Sequence, residues 1–318
     1  MTWSPQFDGW SATVKPPDID KEHTRTHEWR FRGRTHEWEL SVPVSTYEYC
    51  VNCHRVHEYG TYIVDPIQRS MLTDLRDRFD RFADRQGLDD RSLVTAVTRF
   101  VQSIPYSRDI DDTGHLAYPK YPAETFLHER GDCEDCTVLL GALLDGLGFD
   151  VAVIVFPDAH HMVLGVALDS DAGTYVDHGG VRYYTVETTD VGWDVGELPG
   201  DYQGERAEVQ LPEQTPVLVH EWEAVPRATS EGVVDVTAKV TNVGEAAAEP
   251  LTVQIEFETR DRDVVAGRRL NASGESLAPG NTGRYECRLR LPTSRDLRGR
   301  LTLGMERTVH DRSESEWH

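Results

Sequence analysis

Lysine is nearly missing from this chain. Only Lys15, Lys21, Lys120 and Lys239 occur among 33 basic residues, against 55 acidic ones, for a formal net charge of −22. Phosphate binding needs a basic surface, so nucleic acid is excluded as an expected partner. Acidic residues run through every segment, the pattern of a protein adapted to high salt. There the screening length falls to about 3 Å at 1 M and self-repulsion matters less. Long apolar runs are missing too: none approaches the roughly 18 residues that a membrane span needs. The start, Met1-Thr-Trp-Ser-Pro-Gln-Phe-Asp8, has neither a basic nor an apolar leader region. The expectation is therefore a soluble, cytoplasmic chain with no membrane partner. Cysteine is sparse and odd in number: Cys50, Cys53, Cys133, Cys136 and Cys287. Without an export signal, that argues against a disulfide framework.

What is present suffices for folded domains. The 318 residues are 38% hydrophobic, enough for two or three cores. Trp29–Val44 alternates around a turn at Gly33-Arg-Thr and reads as a hairpin, whereas residues 1–27 show no clear period. Leu72, Leu75, Phe79 and Phe82 recur at helical spacing. Asp89 precedes a second helical pattern, stopped by Pro105. A short helical stretch, Ala123–Glu129, points to Gly131 as a left-handed cap. Asp132 then caps a strongly apolar helix that ends at Gly148. Val151–Phe156, Met162–Leu168 and Val181–Thr188 read as strands, so a helix on an antiparallel sheet, α+β, is expected. From about Gln214 the pattern changes. Val217–Trp222, Val233–Val240, Leu251–Phe257 and Arg284–Leu291 alternate with period two, as in a β-sandwich. The expected divisions are a β-rich extension over 1–69, a catalytic domain over 70–212, a sandwich over 213–310 and a tail over 311–318.

The chemistry gathers at Gly131-Asp-Cys-Glu-Asp-Cys136. Cys133 stands in the first turn of the apolar helix, where free amides and the macrodipole favour an anion and lower a thiol's pKa from about 8.5. A thiol at a helix start is also commonly a small apolar filler. A nucleophilic thiol needs a base within reach and a third group to orient it. His160 and His161 open the next strand but one. Neighbouring strand residues face opposite ways, so only one of them can face Cys133. Glu187, closing a later strand, can stand beside an imidazole there, or be a surface acid.

Residues from about 97 to 202 resemble archaeal and bacterial transglutaminase-like proteins, relatives of papain. The resemblance rests on Phe100-Val-Gln-Ser-Ile-Pro-Tyr106, Tyr118-Pro-Lys-Tyr-Pro-Ala-Glu-Thr125, Gly131-Asp-Cys-Glu-Asp135, Leu147-Gly-Phe-Asp-Val151, His161-Met-Val-Leu-Gly-Val166, Tyr183-Tyr-Thr-Val-Glu-Thr-Thr189 and Gly192-Trp-Asp-Val-Gly-Glu-Leu-Pro199. Trp38, Tyr47 and Tyr62-Ile-Val-Asp-Pro66 look like the family's N-terminal extension. It implies a papain-like α+β core, with Cys133 as nucleophile, His161 rather than His160 as base, and Glu187 in the third position, where many relatives carry Asp. It implies acyl transfer on a peptide or amide substrate, to water or an amine, with no cofactor required. The Cys133 N–H would hold part of the oxyanion, and Gln102 and Tyr121 are candidate second donors. Cys136 departs from the Ser or Thr expected there. The sandwich resembles immunoglobulin-like or fibronectin-like modules and is a candidate surface for a protein partner.

Three rival readings stand beside this one. The chain could keep the fold as a non-catalytic interaction module. Cys133-Glu-Asp-Cys136 is a C-x-x-C, but thioredoxin-like redox proteins place theirs after a strand. Cys50, Cys53, His54 and His57 have close ligand spacing and form a candidate structural zinc site, with buried thiols and surface histidines as the alternative.

Overall fold

A computed structural model describes residues 7–170, 172–212, 215–228, 232–272, 274–305 and 308–318. It divides into two units, one of residues 17–51 and 57–215, the other of 1–16, 52–56 and 216–318. Helices and several antiparallel sheets occur together, an α+β architecture.

The first unit is built on a five-stranded antiparallel sheet. Its strands run in the order Tyr175–His178, Val181–Val186, His161–Ala167, Val151–Phe156 and Glu208–Gln210. Val151–Phe156 is apolar throughout because both of its faces are covered. Against the sheet lies the helix Cys133–Gly146, whose residues from Thr137 to Leu144 are all buried. A helix apolar on every side needs cover on every side. The sheet supplies one side, and the helices Gly60–Val64, Asp90–Gln102 and Pro122–His128 supply others. Gly141 allows the closest approach: a Cβ there would stand 2.6 Å from Ile63 Cδ1 and 3.1 Å from Leu164 Cδ1.

The hairpin is longer than its alternation suggests, pairing Glu22–Phe31 with Arg34–Pro43. Its first half carries polar residues on both faces, which hides the period of two. Trp29 and Trp38 pack on Phe79, Phe82 and Phe100, ring centroids 4.8–6.2 Å apart. Asp89 caps the Asp90–Gln102 helix by accepting from Ser92 N, as its position predicts. The stretch expected as a β-rich extension also contains helices, at Val44–Asn52, Gly60–Val64 and Pro66–Met71.

The second unit is a sandwich of two antiparallel sheets. One sheet runs Trp10–Val14, Leu218–Pro226, Val233–Asn242, Thr282–Arg290. The other runs Val264–Arg269, Ala248–Thr259, Leu297–Met305, Thr308–Glu314, with Glu275–Leu277 beside Ala248–Thr259. Trp222, Val236, Leu251, Ile255, Phe257 and Leu301 fill the space between them. Two boundary expectations are corrected here. Trp10–Val14 belongs to this sandwich, paired with His220–Ala224. The expected tail is part of the sheet, with Ser313 paired to Leu301 and His318 N bonded to Leu297 O at 3.0 Å. The expected division at 213 falls on residues outside those described.

Candidate functional site

The position of Cys133 is fixed by the residues around Asp132. Its side chain accepts from Asp135 N, and the Asp135 carboxylate accepts from Asp132 N, both at 3.3 Å. This reciprocal cap satisfies donors that a helix start leaves open. Asp135 is held in turn by Lys120, whose backbone N–H and ammonium each donate to it at 2.7 Å. The fully buried ammonium also meets Asp112 at 2.9 Å and Asp109 at 4.0 Å. Burial alone would lower its pKa, but Asp135 and Asp112 outweigh that and raise it. Gly131 is not the left-handed cap expected from sequence. Glu129 takes that conformation, at φ 53°. Gly131 is needed for space instead, since a Cβ there would stand 2.7 Å from Asp135 Cβ.

His161 opens its strand, paired with Phe156, and is buried. His160 sits just before it at φ 49°, exposed in the turn, so the chain turns it out of the sheet. His161 Nε2 meets Glu187 Oε2 at 2.8 Å. Glu187 lies one residue past the strand Val181–Val186 and is 1% exposed. Its Oε1 accepts from Thr188 N and Thr189 N at 2.9 Å and from Thr189 Oγ1 at 2.7 Å. Burial pushes the Glu187 carboxyl up, but His161 and the Thr189 donors outweigh it and hold it below the ordinary value. An ionised Glu187 fixes the proton on Nε2 and leaves Nδ1 as the basic nitrogen. The Tyr202 ring stacks on the imidazole, centroids 4.2 Å apart and planes 15° apart. Sequence reasoning missed Tyr202. It stands in a short turn, Gly200–Tyr202, with no local signal for that contact.

The thiol is hydrogen-bonded elsewhere. Cys133 Sγ donates to Glu134 Oε2 at 2.8 Å, and among the described residues no hydrogen bond joins it to His161. Burial, then Glu134 and Asp132, push its pKa well up, with the Met162 N–H acting the other way. The helix-start argument predicts the opposite direction. Burial is the larger effect, and the neighbouring acids Glu134 and Asp132 add to it; together they outweigh a dipole of about half a charge. Cys136 is 2% exposed, and burial raises its thiol pKa as well. None of the five cysteines is in a disulfide.

Gln102 lies behind Glu187. Its Nε2 donates to Glu187 O at 2.8 Å and to Trp193 O at 3.0 Å. Both amide hydrogens are thus engaged, and Gln102 holds the Glu187 loop rather than offering an oxyanion donor. Tyr121 starts the Pro122–His128 helix with its ring buried against Tyr62 at 4.5 Å. Cys50 accepts from Gln68 Nε2 at 2.9 Å. Cys50 and His57 belong to one unit, Cys53 and His54 to the other. Among the described residues, acidic and thiol groups spaced for a cation are Asp132–Cys133–Glu134 and Asp109–Asp132–Asp135, without any of those four. No helix among the described residues is long and apolar enough to cross a membrane.

No protein-family model and no curated protein matches the chain. Solved structures give distant likenesses. A red sea bream transglutaminase aligns over 88% of this chain and 60% of its own, at 8% identity and TM-score 0.25. The putative ApaA protein from Bordetella pertussis aligns over 31% of this chain and 89% of its own, at 23% identity and TM-score 0.23. A DUF3823 family protein from Bacteroides ovatus aligns over 49% and 73%, at 13% identity and TM-score 0.24. At such TM-scores these likenesses assign neither fold nor activity to this chain.

Proposed function

We propose that the chain is a cysteine-dependent acyl-transfer enzyme of the transglutaminase-like kind, acting on peptide or other amide substrates. The observation that carries the reading is the buried His161–Glu187 pair at 2.8 Å, opening the strand whose Met162 N–H acts on the Cys133 thiol. A buried histidine with one nitrogen hydrogen-bonded to a carboxylate is what a thiol nucleophile requires of its base. In the forward step the thiol proton passes to His161 Nδ1 and sulfur adds to the amide carbonyl carbon. The Cys133 N–H supports the oxyanion. His161 returns the proton to the leaving nitrogen, the C–N bond breaks, and a thioester remains on Cys133. Water, or an amine, then adds to the thioester, giving its proton to His161. Collapse releases the acid or new amide and restores the thiol.

A second reading is a non-catalytic module that keeps this arrangement. The thiol's hydrogen bond to Glu134 in place of His161 favours it. Turnover of short peptide amides by the full chain and by Cys133→Ala separates the two. The enzyme reading predicts turnover that disappears in Cys133→Ala. Equal rates for both proteins would overturn it. For the sandwich the proposed role is to hold a protein partner.

A further inference from the structure

The Cys133 thiol rests in acidic surroundings. Its hydrogen-bond acceptor is Glu134, at 2.8 Å and half-buried. The sulfur and the Asp132 and Glu134 oxygens all lie within 4.8 Å of one another. Acidity continues behind Asp132: Asp109, whose side chain is 6% exposed, belongs to the adjoining group with Asp132 and Asp135. Its Oδ1 accepts no hydrogen bond, and the Lys120 ammonium stands 4.0 Å away. Burial and the acids around it push Asp132 up to about 9, and Glu134 is the acid bonded to the sulfur. Tyr59, Tyr106 and Tyr202 stand close to the Cys133 side chain. Tyr106 is 54% exposed, an aromatic face of the kind that attracts cations.

We infer that Glu134 is a specificity-determining residue that selects acyl donors carrying a positive charge beside the scissile carbonyl. The inference rests on the acyl-transfer reading and names the substrate class of that site. A neutral or anionic donor leaves Glu134 holding the thiol proton. A cationic donor pairs with Glu134, and the thiol turns to His161, which takes the proton. The direction of the thiol's resting shift, upward under burial, Glu134 and Asp132, agrees. An opposite charge within about 4–6 Å moves a neighbouring group's pKa by roughly one to three, about tenfold or more in thiolate.

Two series test this in one fixed buffer. In the first, Cys133 in the full chain is modified by aminoethyl (cationic) or sulfonatoethyl (anionic) methanethiosulfonate, followed by peptide mass mapping. The thiolate attacks the reagent's sulfenyl sulfur, a sulfinate leaves, and a mixed disulfide forms. Rates are divided by those of the same reagents with a simple thiol. The cation should lead by about tenfold or more, and Glu134→Gln should remove most of that lead. In the second, peptide amides with Lys, Ala or Glu beside the scissile carbonyl are compared by kcat/KM. Lys should lead in the native chain, and Glu134→Gln should raise the Ala substrate toward it. Turnover or labelling indifferent to charge overturns the inference and leaves the acyl-transfer reading standing. No turnover of any peptide, with Cys133 still labelled, overturns the acyl-transfer reading itself.

Discussion

His161 and Glu187 are 26 positions apart in sequence and joined by a 2.8 Å hydrogen bond, both buried, at the ends of two paired strands. If the chain is the acyl-transfer enzyme proposed above, catalytic competence should depend on that pair. Glu187→Gln should keep the shape but weaken the preference for a proton on Nε2. We expect a loss in kcat of about one to two orders of magnitude less than that of Cys133→Ala, which should lose at least about a thousandfold. Steady-state rates of the two variants check this ordering.

The same pair gives stability a pH dependence. The folded-state pKa of Glu187 is depressed, so its contribution is present above the ordinary carboxylate range and lost as pH falls through the folded value. Denaturant midpoints at pH 7 and pH 4 should show a larger acid loss for the native chain than for Glu187→Gln. An equal loss would mean that the pair adds nothing to stability.

Lys120 is a buried cation between Asp112 and Asp135 at 2.9 and 2.7 Å. Lys120→Met leaves those carboxylates without it and should cost about 3–5 kcal/mol. Asp135 also closes the cap at Asp132, so the start of the Cys133–Gly146 helix should loosen. Urea unfolding reads the first effect, and amide exchange at residues 132–136 reads the second.

Gln102 ties two backbone carbonyls of the loop that carries Glu187. Gln102→Ala should therefore lower kcat with little change in KM, since it touches no substrate. A selective rise in KM would instead place Gln102 at the substrate.

In the sandwich, Asn242 is fully buried. Its Nδ2 donates to Ala246 O at 2.8 Å and Leu277 O at 2.9 Å, and its Oδ1 accepts from Gly244 N at 3.1 Å. Asn242→Ala strands these groups and should cost about 2–3 kcal/mol. Urea unfolding should show that loss while Cys133 labelling stays unchanged.

The elements that sequence revealed are those whose pattern is a direct image of burial. Val151–Phe156 has the bounds that its apolar run suggests, and the Cys133 helix announces itself through Asp132 and its unbroken apolar stretch. Tyr175–His178 stayed hidden because it has no fully buried residue, and Leu297–Met305 because Gly299 stands at one of the inward positions between its buried leucines. At the site, the resemblance to transglutaminase-like proteins singled out Cys133, His161 and Glu187, but the thiol's partner was missed. A helix dipole is a generic property of any helix start, whereas the charge balance there depends on which of three neighbouring acids faces the sulfur, which only side-chain positions reveal. The stack of Tyr202 on His161 has the same origin, a tertiary contact between segments about 40 positions apart.

The most direct test is to trap the acyl-enzyme. The full chain is mixed with an N-acyl peptide amide bearing lysine beside the scissile carbonyl, quenched in acid within seconds, digested and mapped by mass. The account predicts the acyl mass on the Cys133 peptide, released by hydroxylamine as a thioester is, and absent from His161→Ala. Cleavage of the amide with no acyl group on Cys133, or the same adduct in His161→Ala, would contradict it.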